Sequence, residues 1–185
     1  MTDALEIYHA QARYNRWFNA RLYDVVAELD EEQRRRELGA FFGSVHRTLN
    51  HLILCDYIWL SRCAPGLEEA VARDADGQVR KPAGLDFVLY EDFDLLRQRR
   101  AALDVAIEEW VSSLVAGDLS REMSYQNTTG ILRRHPMWWA LTHLFNHQTH
   151  HRGQVTTLLF QLGHDPGPTD LLVMLHLEAA IAAAP

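Results

Sequence analysis

Four of the ten histidines fall inside the stretch 141–163, at positions 143, 147, 150 and 151. On an α-helix, residues i and i+4 sit about 40° apart around the axis. His143, His147 and His151 therefore climb one stripe, and His150 falls beside it. An i, i+4 histidine pair presents two ring nitrogens to one metal ion, the geometry of zinc-protease helices. A chain built around such a helix needs a third ligand from another element, a rigid scaffold and an open coordination position.

The rest of the chain is patterned to supply a helical scaffold. At 185 residues it is expected to form one domain, 1–185, with a sizeable core. Residues Ala4 to Leu29 keep mostly three- and four-residue apolar spacing through Leu5, Tyr8, Ala12, Phe18, Leu22, Val25 and Leu29, which predicts a first helix. The charged segment Asp30 to Arg36 either extends it or makes a short turn, and Phe41-Phe42-Gly43 breaks the pattern. Ser44 is a fitting N-cap for a second helix to about Arg62. That helix is apolar nearly all round, as expected of an interior helix or one at a subunit interface.

Ala64 to Leu85 holds Pro65-Gly66, Asp76-Gly77 and Pro82-Ala83-Gly84 and reads as a long irregular crossover. Such a crossover can join helices that are not simple antiparallel neighbours. Phe93, Leu96, Leu103, Ile107, Trp110 and Leu114 mark a third helix over Tyr90 to Val115, ended by Gly117. Arg100 interrupts its apolar seam and is expected to carry its head out to solvent, or else to anchor a substrate carboxylate. Met123 to Gln126 and Gly130 to Leu132 flank Asn127-Thr128-Thr129-Gly130 as a small hairpin. Pro136 opens the fourth, histidine-bearing helix and Gly163 closes it; Thr169 or Asp170 caps a short last helix over Leu171 to Ala183. The fold class is all-α: a four-helix bundle with a long crossover loop, a small hairpin before the fourth helix and a short C-terminal helix.

In a bundle, metal sites are built from inward-facing side chains on different helices. His51 is the histidine in the middle of another long helix, in apolar surroundings, so His51, His147 and His151 form the expected metal set. Three neutral imidazoles favour one divalent transition metal, zinc or nickel foremost, then cobalt or iron. They also leave a position for water or substrate, as in catalytic sites. His143 is read as a ligand or a neighbour of the ligands, His150 as peripheral, and His46 as surface or structural. The helix reads His147-Gln148-Thr149-His150-His151, without the glutamate of a zinc protease. Cys55, one turn after His51, is a small buried hydrophobe that could also join the metal.

Charge and cysteine content exclude several classes. The net charge of -7 argues against a nucleic-acid partner, which requires a basic face. Cys55 and Cys63 on one helix are too far apart to bridge, and a reducing cytoplasm is the expected location. The opening MTDALEIYHAQ has no signal-peptide pattern, and no apolar run is long enough for a membrane span.

The chain also resembles the DinB-like, damage-inducible family of metal-dependent helical-bundle proteins. The resemblance runs through Tyr14-Asn15-Arg16-Trp17, Leu49-Asn50-His51-Leu52, the run Asn146 to Gln154, and Gly163-His164-Asp165-Pro166 with Thr169-Asp170-Leu171. It implies a four-helix bundle with a three-histidine site at His51, His147 and His151, and frequent homodimers. Relatives of this kind include transferases and isomerases that use low-molecular-weight thiols such as bacillithiol or mycothiol. The expected function is thus a metal-dependent transferase joining a small thiol to an electrophilic small molecule. Arg152 or Arg100 would bind an anionic substrate, and His143 or Asp56 would orient ligands or move a proton. The alternatives are a non-catalytic metal-binding stress-response protein and, below it, a metal-dependent hydrolase, for which the sequence offers no clear general base.

Overall fold

The computed structural model describes residues 4–184. The long helices are α1 (Ala4–Ala27), α3 (Val45–Cys63), α4 (Phe93–Ser113) and α6 (Met137–Gln161). The short ones are α2 (Glu31–Arg35), α5 (Ala116–Ser120) and α7 (Leu171–Ala182), and a hairpin of β1 (Glu122–Gln126) and β2 (Leu132–Pro136) precedes α6. The expected all-α bundle is present, and no helix among the described residues is long and apolar enough to cross a membrane.

The side-chain pairs fix the directions of the helices. Tyr23 stacks on Phe93 while Arg16 pairs with Glu108, so α1 and α4 run antiparallel. His51 faces His147 while Trp59 faces His143, so α3 and α6 also run antiparallel. Asn50 bonds the Tyr90 backbone just ahead of α4, while Asp56 pairs with Arg100 farther along it, so α3 and α4 run parallel. The order is up-down-down-up. A parallel α3–α4 pair cannot be joined by a tight turn, which is the reason for the long crossover.

Local chemistry sets the boundaries. Asp30 does not extend the first helix: its carboxylate accepts from the Gln33 amide at 2.7 Å and the Gln33 side chain accepts from the Asp30 amide at 3.0 Å, a capping box that opens the separate α2. Ser44 caps α3 as expected, accepting from the Arg47 amide. Gly117 does not end the third helix; the chain leaves helical geometry at Leu114, and Gly117 lies inside α5. The hairpin is longer on its second side than expected, pairing Glu122 with Pro136 through to Gln126 with Leu132. Gly163, at φ 86°, ends α6 in a Schellman motif: its own amide donates to Phe160 O and the His164 amide donates to Leu159 O.

The apolar girth of α3 is satisfied inside its own chain. Val45, Leu49, Leu52, Ile53, Leu54, Tyr57, Leu60 and Cys63 all join the core, so this helix is an interior one. Within that core lies a layer of buried polar groups drawn from all four long helices: Asn15 and Asn19, Asp56, Arg100 and Asp104, Gln148 and Arg152. Arg100 neither reaches solvent nor faces a substrate. Its guanidinium lies 2.5 Å from Asp56 and 2.8 Å from Asp104. Asn15 and Asn19 donate to Asp104, each at 2.9 Å from Oδ1. Burial outweighs the neighbouring Arg100 and pushes the Asp104 carboxyl up to about 6.

Removing one member of such a network strands the others in a water-poor interior. Arg100→Ala, which leaves Asp56 and Asp104 without their cation, is expected to cost about 3–5 kcal/mol in urea unfolding. Asp104→Asn, which removes a desolvated charge and keeps a hydrogen-bonding oxygen, is expected to cost clearly less. Equal costs for the two variants would contradict this ordering.

Candidate metal centre

His51 projects from α3, and His147 and His151 from successive turns of α6, and each offers a nitrogen such that all three lie within 4.8 Å of one another. His51 Nε2 is 3.1 Å from His147 Nε2. The His51 ring lies 4.6 Å from the His151 ring, and the His147 ring 4.5 Å from it, centre to centre. The i, i+4 spacing on α6 supplies two of the three, and antiparallel packing of α3 supplies the other.

Two of the rings are held from behind. His51 Nδ1 stands 2.8 Å from the carbonyl oxygen of Leu85, near the end of the crossover. His151 Nδ1 stands 2.7 Å from Oε1 of Gln154, on the next turn of α6. Both outer partners accept, so each Nδ1 carries the proton and each Nε2 keeps its lone pair. Bonds of this kind orient imidazoles for metal binding. The donor set therefore fits a divalent transition metal.

The electrostatics favour the same form. Burial, reinforced by the other imidazoles, lowers His147 to about 3. Burial lowers His151 to about 4 against the opposing bond from Gln154. Burial also lowers His51, against the Leu85 carbonyl. Neutral imidazole is the state that ligates.

Phe42 closes one side of the cluster. Its ring stacks on His51 at 3.9 Å between centres and lies 5.5 Å from His151. The turn that delivers it ends at Gly43, whose φ of 82° suits glycine, and a Cβ there would meet Glu37 Oε2 at 2.2 Å. In front of the cluster is a cavity of about 480 Å³ lined by Phe41, Phe42, His51, Leu85, Asp86, His150, His151 and Gln154. Cys55 Sγ lies 3.6 Å from His51 Nε2, yet it stands outside the group of three. Burial pushes its thiol up to about 12.

The other residues singled out from the sequence are placed elsewhere. His143 is exposed at the rim, its ring 4.9 Å from Trp59 and 5.6 Å from His147. Asp56 is fully buried, and its Oδ2 is shared by Arg100 and by Gln148 Nε2, each at 2.5 Å, so it is a structural anion without access to the cavity. Arg152 turns away from the cluster: it bonds Asn15 Oδ1 at 2.8 Å and lies over the Tyr14 and Phe18 rings. Neither Arg100 nor Arg152 can receive an anionic substrate in this cavity. His46 is buried and structural, facing Asn50 within α3.

Sequence reasoning passed over Phe42, Leu85, Asp86 and Gln154. Gln154 carried a readable signal, since i+3 spacing puts it on the same helix face as His151. The other three sit in irregular segments, and their approach depends on how two loops fold back onto the bundle.

Comparison with known proteins agrees with the fold. Protein DinB of Bacillus subtilis (strain 168) is 27% identical over 158 residues, covering 85% of this chain and 87% of that protein. The crystal structure of a DinB-like protein from Bacillus cereus ATCC 10987 covers 91% of this chain and 99% of that one, with a TM-score of 0.63 at 22% identity, a likeness of fold. The model of the DinB family matches residues 1–183, and on that match, across nearly its whole length, the chain belongs to the DinB family.

Proposed function

We propose that His51, His147 and His151 hold one divalent ion, zinc or nickel, and that the chain is a transferase that joins a small thiol to an electrophilic small molecule. The observation that carries this reading is the pairing of three converging imidazoles, two of them held from behind, with an adjoining cavity and, among the described residues, no fourth histidine, cysteine or carboxylate in the group. A divalent ion with an open position supplies a Lewis acid that keeps a thiol as its thiolate near neutral pH.

The chain's own groups do the rest. Leu85 O and Gln154 hold two of the rings in the ligating tautomer. Phe42 excludes water from the flank of the cluster, and Phe41 and Leu85 give the cavity an apolar wall for the electrophile. Both cysteine thiols are pushed up to about 12 by burial, so neither serves as the nucleophile and the thiol comes from outside. In a displacement, the sulfur–carbon bond forms as the carbon–leaving-group bond breaks, and the thiol proton passes to solvent.

A second reading has one observation in its favour. Asp86 lines the cavity beside His51 and His151, and a carboxylate there could serve as general base for hydrolysis. Asp86→Asn separates the two readings: it abolishes hydrolysis of ester or amide substrates and leaves thiol transfer measurable.

Metal analysis of the purified chain is expected to find one ion per chain, lost in His147→Ala. Metal-loaded protein given a set of small thiols and a chlorodinitrobenzene is expected to release chloride faster than His147→Ala does. Equal rates for every thiol would refute the transferase. Gln154→Leu is expected to weaken metal affinity about 10- to 100-fold by freeing the His151 ring.

The pH dependence follows from the lowered histidines. An ordinary histidine titrates near 6.5; His147 and His151 stay neutral well below that, and His51 is shifted in the same direction. Protons therefore compete with the metal only in acid, and zinc affinity is expected to change little from pH 7 to about 5. In the metal-free protein the unfolded chain takes up protons first, so the stability contributed by these rings is full above about 6.5 and is lost as pH falls towards about 4. Zinc affinity that drops steeply between pH 7 and 6 would contradict the buried, neutral cluster.

A further inference from the structure

The cavity in front of the three histidines has an uneven chemistry. One wall is apolar, made by Phe41, Phe42 and Leu85. Its polar groups are imidazoles, the Gln154 amide and the Asp86 carboxylate, with no lysine or arginine in the lining. The arginines nearest in sequence to the ligands are spent or turned aside: Arg152 is buried against Asn15, Tyr14 and Phe18, and Arg47, one turn before His51, is exposed and outside the lining. Arg80, in the crossover, lies over the Phe87 ring. Asp86, next in sequence to the Leu85 whose carbonyl holds His51, is thus the one carboxylate-bearing residue of the lining, with no lysine or arginine beside it there.

We propose that Asp86 sets the charge class of the ligand: the cavity accepts molecules that are neutral or carry an ammonium group beyond their metal-binding atom, and it rejects carboxylates and other anions. An ammonium group entering beside Asp86 is attracted and a carboxylate in the same place is repelled. No lysine or arginine of the lining offsets that repulsion, and the charge of a bound ion is the same in the parent and in Asp86→Asn. This inference rests on the metal site proposed above and narrows its substrate class to neutral or amino-bearing thiols and apolar electrophiles. Unit charges several ångströms apart in a partly solvated cleft change affinity by about three- to tenfold, and added salt reduces the difference.

The test uses full-length protein loaded with cobalt(II), whose visible and near-ultraviolet bands report ligand binding without turnover. Cysteamine, 2-mercaptoethanol and mercaptoacetate are similar in size and carry a positive, zero and negative charge. The expected order of affinity is cysteamine, then mercaptoethanol, then mercaptoacetate, spanning about tenfold or more at low salt. In Asp86→Asn the order collapses, chiefly because mercaptoacetate tightens by about three- to tenfold. Azide and neutral imidazole, titrated in parallel, read the same preference with ligands that contain no sulfur. If no thiol alters the spectrum, the thiol reading fails, and the azide arm still decides the charge preference: azide must bind more tightly to Asp86→Asn than to the parent. Mercaptoacetate or azide binding equally to both proteins overturns the proposal. Circular dichroism and cobalt stoichiometry confirm that the variant is folded and loaded.

Discussion

The buried carboxylate of Asp56 ties the architecture together. It stands on α3, five residues beyond His51, and is shared at 2.5 Å by Arg100 of α4 and Gln148 of α6. Through Arg100 it connects to Asp104, and through Asp104 to Asn15 and Asn19 of α1. An apolar bundle tolerates small slips of one helix along another, because one leucine replaces its neighbour at little cost. A buried ion cannot slip, because a displaced partner leaves it desolvated and alone. Gln148 is the neighbour of His147 in sequence, so the bond that fixes α6 against α3 also fixes the imidazoles opposite one another. The polar layer sets register, and the histidine cluster inherits its geometry from that register.

This arrangement accounts for the division of the molecule into a rigid part and a shaped part. The three imidazoles ride on two long helices, where packing limits their movement. The groups that tune them come from irregular segments laid over the bundle: Leu85 and Asp86 from the crossover, Phe41 and Phe42 from the turn ahead of α3. A binding site whose ligating atoms sit on helices and whose walls sit on loops can change its substrate by changing loops, while the ligating set stays as it is.

Much of this was legible in the chain itself. Apolar spacing, an all-round apolar run and the histidine stripe between them identified all four long helices, and Ser44 and Gly163 marked two ends correctly because capping is local chemistry. His147 and His151 were readable as a pair because helical geometry alone brings them together, and His51 because it stood mid-helix on a different long element. The roles of Asp56, Arg100 and Arg152 were misread for a common reason. A charged residue on an apolar helix face reads as seeking solvent, a substrate or the metal ligands, whereas these three lie buried in one layer and bond to neighbours within it. Recognising that layer requires the angular order of four helices, which spacing along one chain does not encode. The apolar girth of α3 was equally ambiguous, and the packing of its side chains into the core accounts for it.

The central claim is that three imidazoles, and no other protein ligand, hold a metal that still has room for a substrate atom. X-ray absorption spectroscopy on the zinc-loaded protein tests it directly. The account predicts three imidazole nitrogens at about 2.0 Å with a light exchangeable atom, and a new sulfur at about 2.3 Å only after a small thiol is added. A sulfur at that distance before any thiol is added would mean that Cys55 closes the site, and would contradict the account.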